Sequence, residues 1–236
     1  MPEHPDLARL RAEYAERAAN VDQTERYSLF NSAQLFAIQQ RQRAILRCLR
    51  REGFYPLRGR RILELGCGSG GVLLEALSFG AAAEKLHGAE LLLERVQATG
   101  RVLPSLGLIC ADGQRLPYAS ASFDVSMQFT VFSSVLADEV KRNMAQELLR
   151  VTRPGGMILW YDFWLNPSNP QTRGIRPAEI KRLFPGCTFR FERITLAPPL
   201  ARRLVPLSWE LSLLLEGAKI FNTHYLVAIR MQGVLQ

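Results

Sequence analysis

Apolar residues recur along this chain in two rhythms. Over residues 5–19 and again over 32–52 they return at helical spacing, and Asn31 or Ser32 is placed to cap the second segment. From about residue 60 the rhythm changes. Short apolar runs at about 61–65, 86–90, 106–110, 123–130 and 156–162 predict strands. Between them, 71–79, 92–101 and 134–151 predict helices, the last with Val140, Met144 and Leu148 four residues apart. After residue 163 come a Pro/Asn-rich loop, a helix near 176–184, a strand near 187–196, a helical stretch near 200–217 and a final strand near 222–231.

Strand and helix in alternation imply an α/β fold: a doubly wound, mostly parallel sheet of seven strands, with helices on both faces and a helical cap at the amino end. No internal repeat, low-complexity tract or linker interrupts the chain. The expectation is one domain over 1–236, with a cap or lid at 1–54, a ligand-binding core at 55–165, and acceptor-side helices with the last two strands at 166–236.

The first predicted strand runs into Arg61-Ile-Leu-Glu-Leu-Gly-Cys-Gly-Ser-Gly-Gly71. Gly66, Gly68 and Gly71 fit the G-x-G-x-x-G spacing of dinucleotide sites, but that pattern alone is weak. Glu64 argues against a pyrophosphate, because a carboxylate at the strand's end repels it and attracts a cationic ligand. Further acids follow at the ends of later strands. Glu90, with Leu91 beside it, stands about 20 residues after the loop, where an acid binds ribose hydroxyls. Asp112-Gly113 can accept from an adenine amine and leave room for the ring. Then come Leu116-Pro117, Ser122-Phe123-Asp124 and Arg153-Pro154-Gly155-Gly156.

This set, in this order over residues 55–165, resembles the class I S-adenosylmethionine-dependent methyltransferases of the type 11 branch. The segments YSLFN, FTVFSSVL, ILWYDF, NPSNPQTRGIR and LAPPLARRL are similar to a bacterial subgroup often encoded near glycan or natural-product genes. Many relatives carry Asp where Glu90 stands, a change of one methylene. The resemblance implies a Rossmann-like methyltransferase fold and S-adenosyl-L-methionine as cofactor. It would be held by Glu64, Gly66, Cys67, Gly68, Gly70, Glu90, Leu91, Asp112, Gly113 and Gln128, with Cys67 as a packing residue rather than a nucleophile.

Methyl transfer asks mainly for alignment. For a hydroxyl acceptor, Asp162 at the end of the fifth strand is the first candidate base and His224 on the last strand the second. Tyr27 and Asn31 are placed to fold over the cofactor or acceptor, and Arg173 to clamp an anion. The long stretch before the final strand would wall the same space. The expected activity is methylation of a small molecule or glycan at oxygen. Nucleic-acid methylation and non-catalytic cofactor binding are the alternatives.

Composition adjusts this picture in three places. The net charge is +8 with only four lysines, so arginine supplies the excess. Arg41, Arg43, Arg47, Arg50 and Arg51 share one helix with regularly spaced apolar residues, which describes a solvated face better than a nucleic-acid site. An anionic small molecule uses the charge equally well. The four cysteines form no C-x-x-C pair, so a reduced cytoplasmic protein without a metal is expected. No stretch reads as a membrane span or secretory leader, and the oligomeric state expected is monomer or homodimer.

Overall fold

The computed structural model describes residues 4–19, 28–166, 169 and 171–232. Helices α1 (Pro5–Ala19) and α2 (Ser32–Arg51) precede a seven-stranded sheet. Its strands are β1 (Ile62–Leu65), β2 (Leu86–Glu90), β3 (Gly107–Cys110), β4 (Phe123–Phe129), β5 (Thr152–Phe163), β6 (Thr188–Leu196) and β7 (Asn222–Arg230). Six further α-helices connect them: α3 (Gly71–Ser78), α4 (Leu93–Val102), α5 (Asp138–Val151), α6 (Pro177–Leu183), α7 (Pro198–Leu204) and α8 (Trp209–Gly217).

The strand order is β3-β2-β1-β4-β5-β7-β6. The first five strands are parallel, and β7 inserts antiparallel between β5 and β6. The order reverses at β1, so the crevice outside the carboxyl ends of β1 and β4 is where such a sheet takes a ligand.

Alternation along β5 shows how the core divides. Met157, Leu159 and Tyr161 face α2 and α3, packing with Ile45, Cys48, Leu49, Leu73 and Ala76. Ile158 and Trp160 face α5 and α6, packing with Val140, Met144, Leu148, Ile180 and Leu183. Both faces are covered, so the central strands are buried throughout; all of β1 and β4 is buried. A smaller cluster joins Ala33 and Phe36 of α2 to Leu196, Ala201 and Val205.

Three boundaries differ from the pattern's expectation. Helix α5 begins at Asp138 rather than 134, because residues 130–137 form a loop entered through Thr130 with φ of 56°. Strand β5 starts directly at Thr152, with a register shift between Phe123 and Val125 that absorbs Arg153–Gly156. The stretch 200–217 is two helices; Val205–Leu207 part them and Ser208 caps the second by accepting from the Leu211 N–H at 3.1 Å.

Candidate cofactor and acceptor cleft

At the carboxyl edge lies one open cleft of about 1150 Å³. Its floor is the glycine turn. Gly66, Gly68 and Gly70 all have positive φ, at 71°, 53° and 79°. A Cβ on Gly66 would lie 2.5 Å from the Val131 side chain, and one on Gly68 would lie 3.0 Å from the Arg95 guanidinium. The turn leaves bare backbone for a ligand to approach closely.

Glu90, only 4% exposed, organises the turn. One carboxylate oxygen accepts the Gly68 N–H at 2.9 Å, and the other accepts the N–H groups of Leu91 at 2.9 Å and Leu92 at 3.2 Å. A carboxylate offers about four acceptor positions, so one remains for a ribose hydroxyl, and a second would compete with Leu92. Asp112 is held by Gln114, whose N–H and side-chain amide both donate to it. The bare turn, the anchored Glu90 and Asp112-Gly113 together fit an adenosine-bearing cofactor without a phosphate.

Of the expected cofactor residues, Gly66, Gly68, Glu90, Leu91, Asp112 and Gly113 line this cleft. Four others do not. Glu64 alternates with Leu63 and Leu65 and turns to the α2 side, where it is 2% exposed. Burial pushes its carboxyl up to about 8, against the opposing pull of Arg41, so it is not the exposed anion that the sequence suggested. Arg41 itself pairs with Glu75 on α3. Cys67 is buried against the position a Gly88 Cβ would occupy, and burial raises its thiol to about 12, which suits packing. Gly70 packs toward Thr99 and Leu103 as it starts α3. Gln128 is buried under the loop and accepts the Val131 N–H at 3.1 Å.

The acceptor-side expectations fare differently. His224 is buried with its ring stacked on Tyr161 at 4.7 Å and against Phe163 at 3.9 Å. Burial depresses it to about 3, so it stays neutral and away from the cleft's lining. Asn31 is a helix cap, accepting from Ala33 and Gln34, and Arg173 pairs with Asp138 and Glu179 rather than waiting for an anion. Tyr27 lies outside the described residues.

Asp162 also stands behind the cleft. Its oxygens accept the N–H groups of Phe163 at 2.8 Å and Ser133 at 3.0 Å, and both of those residues line the cleft. Burial raises the Asp162 carboxyl to about 6, with the Ser133 side chain and backbone partly offsetting it. Thr130, also in the lining, holds a positive φ that is rare for a β-branched residue.

Within the cap expected at 1–54, the sequence reading singled out Tyr27 and Asn31 and passed over the residues of α1. Leu7, Leu10 and Tyr14 recur at helical spacing and all face the cleft. Arg11 donates to the Leu91 carbonyl at 3.0 Å, and the Arg95 guanidinium lies over the Tyr14 ring at 4.9 Å. Asp6 accepts the N–H groups of Leu136 and Ala137 at 2.8 Å each, capping α5, whose own N-cap is an alanine. Arg9 donates to the Ser134 carbonyl at 2.6 Å. The signal was in the apolar stripe of residues 7, 10 and 14.

A doubly wound sheet with this order, a glycine turn after β1 and acids after β2 and β3 defines the methyltransferase class. Comparison agrees. Residues 63–160 match the family model described as a methyltransferase domain, and the match supports a class I S-adenosylmethionine-dependent methyltransferase. S-adenosylmethionine is the cofactor of the family. A sterol 4-C-methyltransferase of Caenorhabditis elegans is 30% identical over 106 residues, covering 42% of this chain and 30% of that one. A phthiotriol/phenolphthiotriol dimycocerosates methyltransferase of Mycobacterium leprae is 36% identical over 119 residues, covering 48% and 40%. The chain spans less than half the length of these curated relatives. A solved methyltransferase structure from Thermotoga maritima, described as a possible histamine N-methyltransferase, superposes with a TM-score of 0.61 at 15% identity, covering 90% of this chain and 96% of that one, which is a likeness of fold. Among the described residues no group of three or more His, Cys, Asp or Glu could hold a metal, and no helix is long and apolar enough to cross a membrane.

Proposed function

We propose that this protein transfers a methyl group from S-adenosylmethionine to a hydroxyl of a small, largely apolar acceptor. The observation that carries the reading is the joining of the glycine turn, Glu90 and Asp112 around one cleft. Bound there, S-adenosylmethionine supplies an electrophilic methyl on a sulfonium that leaves as a neutral thioether.

The protein's part is holding and shielding. Glu90 and Asp112 bind the adenosine end, the bare backbone at Gly66 and Gly68 admits the methionine end, and α1 covers the cleft and excludes water. The wall beside Thr130 carries Leu7, Leu10, Val131, Val135 and Phe163 with Ser133 and Ser134, while Arg11, Glu94 and Arg95 and the side chains of Asn166, Asn169 and Thr172 line other parts of the cleft. That lining supports an uncharged acceptor with an apolar body and a hydroxyl. A glycan or an anion is less well supported, since Arg173 is already paired. The sterol in one relative's name favours the apolar body of the acceptor, while that name places the methyl on carbon.

No histidine lines the cleft among the described residues. Asp162 is the acceptor of the released proton, reached through Ser133, whose backbone N–H donates to Asp162 and whose buried hydroxyl is left with no hydrogen-bond partner. In this division of labour α1 forms the lid, 55–165 the cofactor core, and 166–236 the acceptor side. The test is transfer of a radiolabelled methyl group to a panel of hydroxylated lipids, simple glycans and transfer RNA. Labelling confined to the hydroxylated lipids supports the proposal, whereas labelling of RNA alone overturns it.

A further inference from the structure

Helix α8 carries apolar residues on both of its sides: Trp209, Leu213 and Leu215 pack inward against the cluster of Ala33, Phe36, Leu196, Ala201 and Val205. Its fully buried positions are polar: Ser212, which donates to the Ser208 carbonyl at 2.8 Å, and Glu216, which accepts the Thr195 N–H at 3.1 Å. Its outward stripe is apolar. Leu211 and Leu214, three apart, share one face and are 45% and 72% exposed, and Leu207, in the turn before the helix, is 82% exposed. Ile220 and Phe221 extend the exposed apolar surface beyond the helix, at 70% and 46%. A helix with one side already packed on the core normally leaves the other side polar.

The stripe stands on the same edge of the sheet as the cleft. Strand β7 runs antiparallel to β5, so Asn222 and Thr223 meet the end of β5, where the Trp164 ring N–H donates to the Asn222 carbonyl at 2.8 Å and the Trp164 backbone N–H donates to the Thr223 carbonyl at 3.0 Å. Phe163, one residue earlier, lines the cleft. The stretch also carries the exposed Arg202 and Arg203 against a single exposed acid, Glu210, while Lys219 is half-buried with its ammonium 3.9 Å from Glu192. A second copy brought onto this face by a two-fold axis would meet that cationic excess with its own, on a chain of net charge +8. An anionic bilayer would meet it with the opposite sign.

We infer that α8 and the turn at Ile220-Phe221 form a docking face for an anionic membrane surface, with the exposed leucines entering the interface and Arg202 and Arg203 meeting lipid phosphates. Apolar side chains on one face with cations beside them are what an interfacial helix requires. Docking in this orientation brings the sheet's carboxyl edge, and so the mouth of the cleft, toward the bilayer. The inference goes beyond methyl transfer and does not depend on it, because vesicle binding is read without cofactor or acceptor.

The experiment is co-sedimentation of the full chain with vesicles of phosphatidylcholine alone and of phosphatidylcholine containing phosphatidylglycerol. The protein should sediment with the phosphatidylglycerol vesicles, bind far less to phosphatidylcholine alone, and be released by high salt. Leu211→Glu with Leu214→Glu should lower partitioning at least tenfold, and each of Arg202→Gln and Arg203→Gln about fivefold, with unchanged thermal melts since all four side chains are exposed. Absence of sedimentation with either vesicle overturns the inference. So does equal sedimentation of the leucine variant and the parent. Sedimentation velocity on the same proteins supplies the other decisive outcome: a dimer that the leucine substitutions dissociate would show that a second copy covers this face.

Discussion

The Glu90 carboxylate accepts the Gly68 backbone N–H at 2.9 Å, tying the end of β2 to the turn that follows β1. The acid expected to hold the ribose is therefore also the strut of the glycine turn. Removing it should cost both roles. Glu90→Ala is expected to weaken S-adenosylhomocysteine binding at least tenfold, since a hydrogen bond to a charged group is worth about 1.5–3 kcal/mol. It should also lower the melting temperature of the ligand-free protein by several degrees, because the Gly68 and Leu91 N–H groups lose their partner. A variant that melts like the parent would deny the strut role.

Gly66 has the more demanding position in the turn. A side chain there needs positive φ and collides with Val131, whereas at Gly68 it meets only the mobile end of Arg95. Gly66→Ala should reduce cofactor affinity more than Gly68→Ala, by roughly tenfold or more for about 1.4 kcal/mol of strain. Parallel titrations of the two variants decide the order.

Glu64 carries a pH signature. Burial raises it from 4.5 to about 8, so the folded state keeps a proton that the unfolded state gives up above pH 4.5. Stability from this group is greatest in acid and declines between about pH 4.5 and 8, at no more than about 1.4 kcal/mol per pH unit. Glu64→Gln should flatten that decline in melts recorded across the range. Identical slopes for parent and variant would place the ionised form in the folded protein.

Asp6 bears the opposite sign. Burial works to raise its pKa, but the Ala137 N–H, then Arg9 and the Leu136 N–H, outweigh it and hold the carboxyl below its ordinary 3.8. Its contribution is present above about pH 4 and lost as the pH falls through the depressed value. Asp6→Ala should cost about 1–2 kcal/mol at neutral pH, as loss of a helix cap does, and should speed cofactor release by freeing α1. The cost should vanish in strong acid, which thermal melts at low pH would register.

With an acceptor in hand, rates should rise as the pH climbs through about 6, the value to which burial brings Asp162. Ser133→Ala should lower kcat about tenfold or more while leaving cofactor affinity alone, consistent with the usual worth of acid–base catalysis. His224→Phe should keep most of the rate, because the ring is neutral and stacked away from the cleft. A pH profile abolished by His224→Phe and untouched by Ser133→Ala would reverse the assignment.

The strand rhythm, the glycine turn and the acids at 90 and 112 were legible because each depends on local spacing along one element. Glu64 was misread because a residue's face on a strand depends on which neighbours cover it, and both faces of β1 are covered. Asn31, Arg173 and His224 were chosen for their chemistry, but the fold supplies each with a local partner: a helix terminus, an acid pair and two aromatic rings. Helix α1 carried its signal in plain view as Leu7, Leu10 and Tyr14. Its destination was not readable, because the contacts that bring it to the cleft, from Asp6 to Leu136 and Ala137, span about 130 residues.

The central claim is that one cleft, floored by Gly66 and Gly68 and edged by Glu90 and Asp112, binds S-adenosylmethionine. Isothermal titration of the full chain with S-adenosylhomocysteine, set beside NAD, tests it most directly. The expected result is one site for S-adenosylhomocysteine, at least tenfold weaker in Glu90→Ala, with no heat from NAD. Binding of NAD, or S-adenosylhomocysteine affinity indifferent to Glu90→Ala, would contradict it.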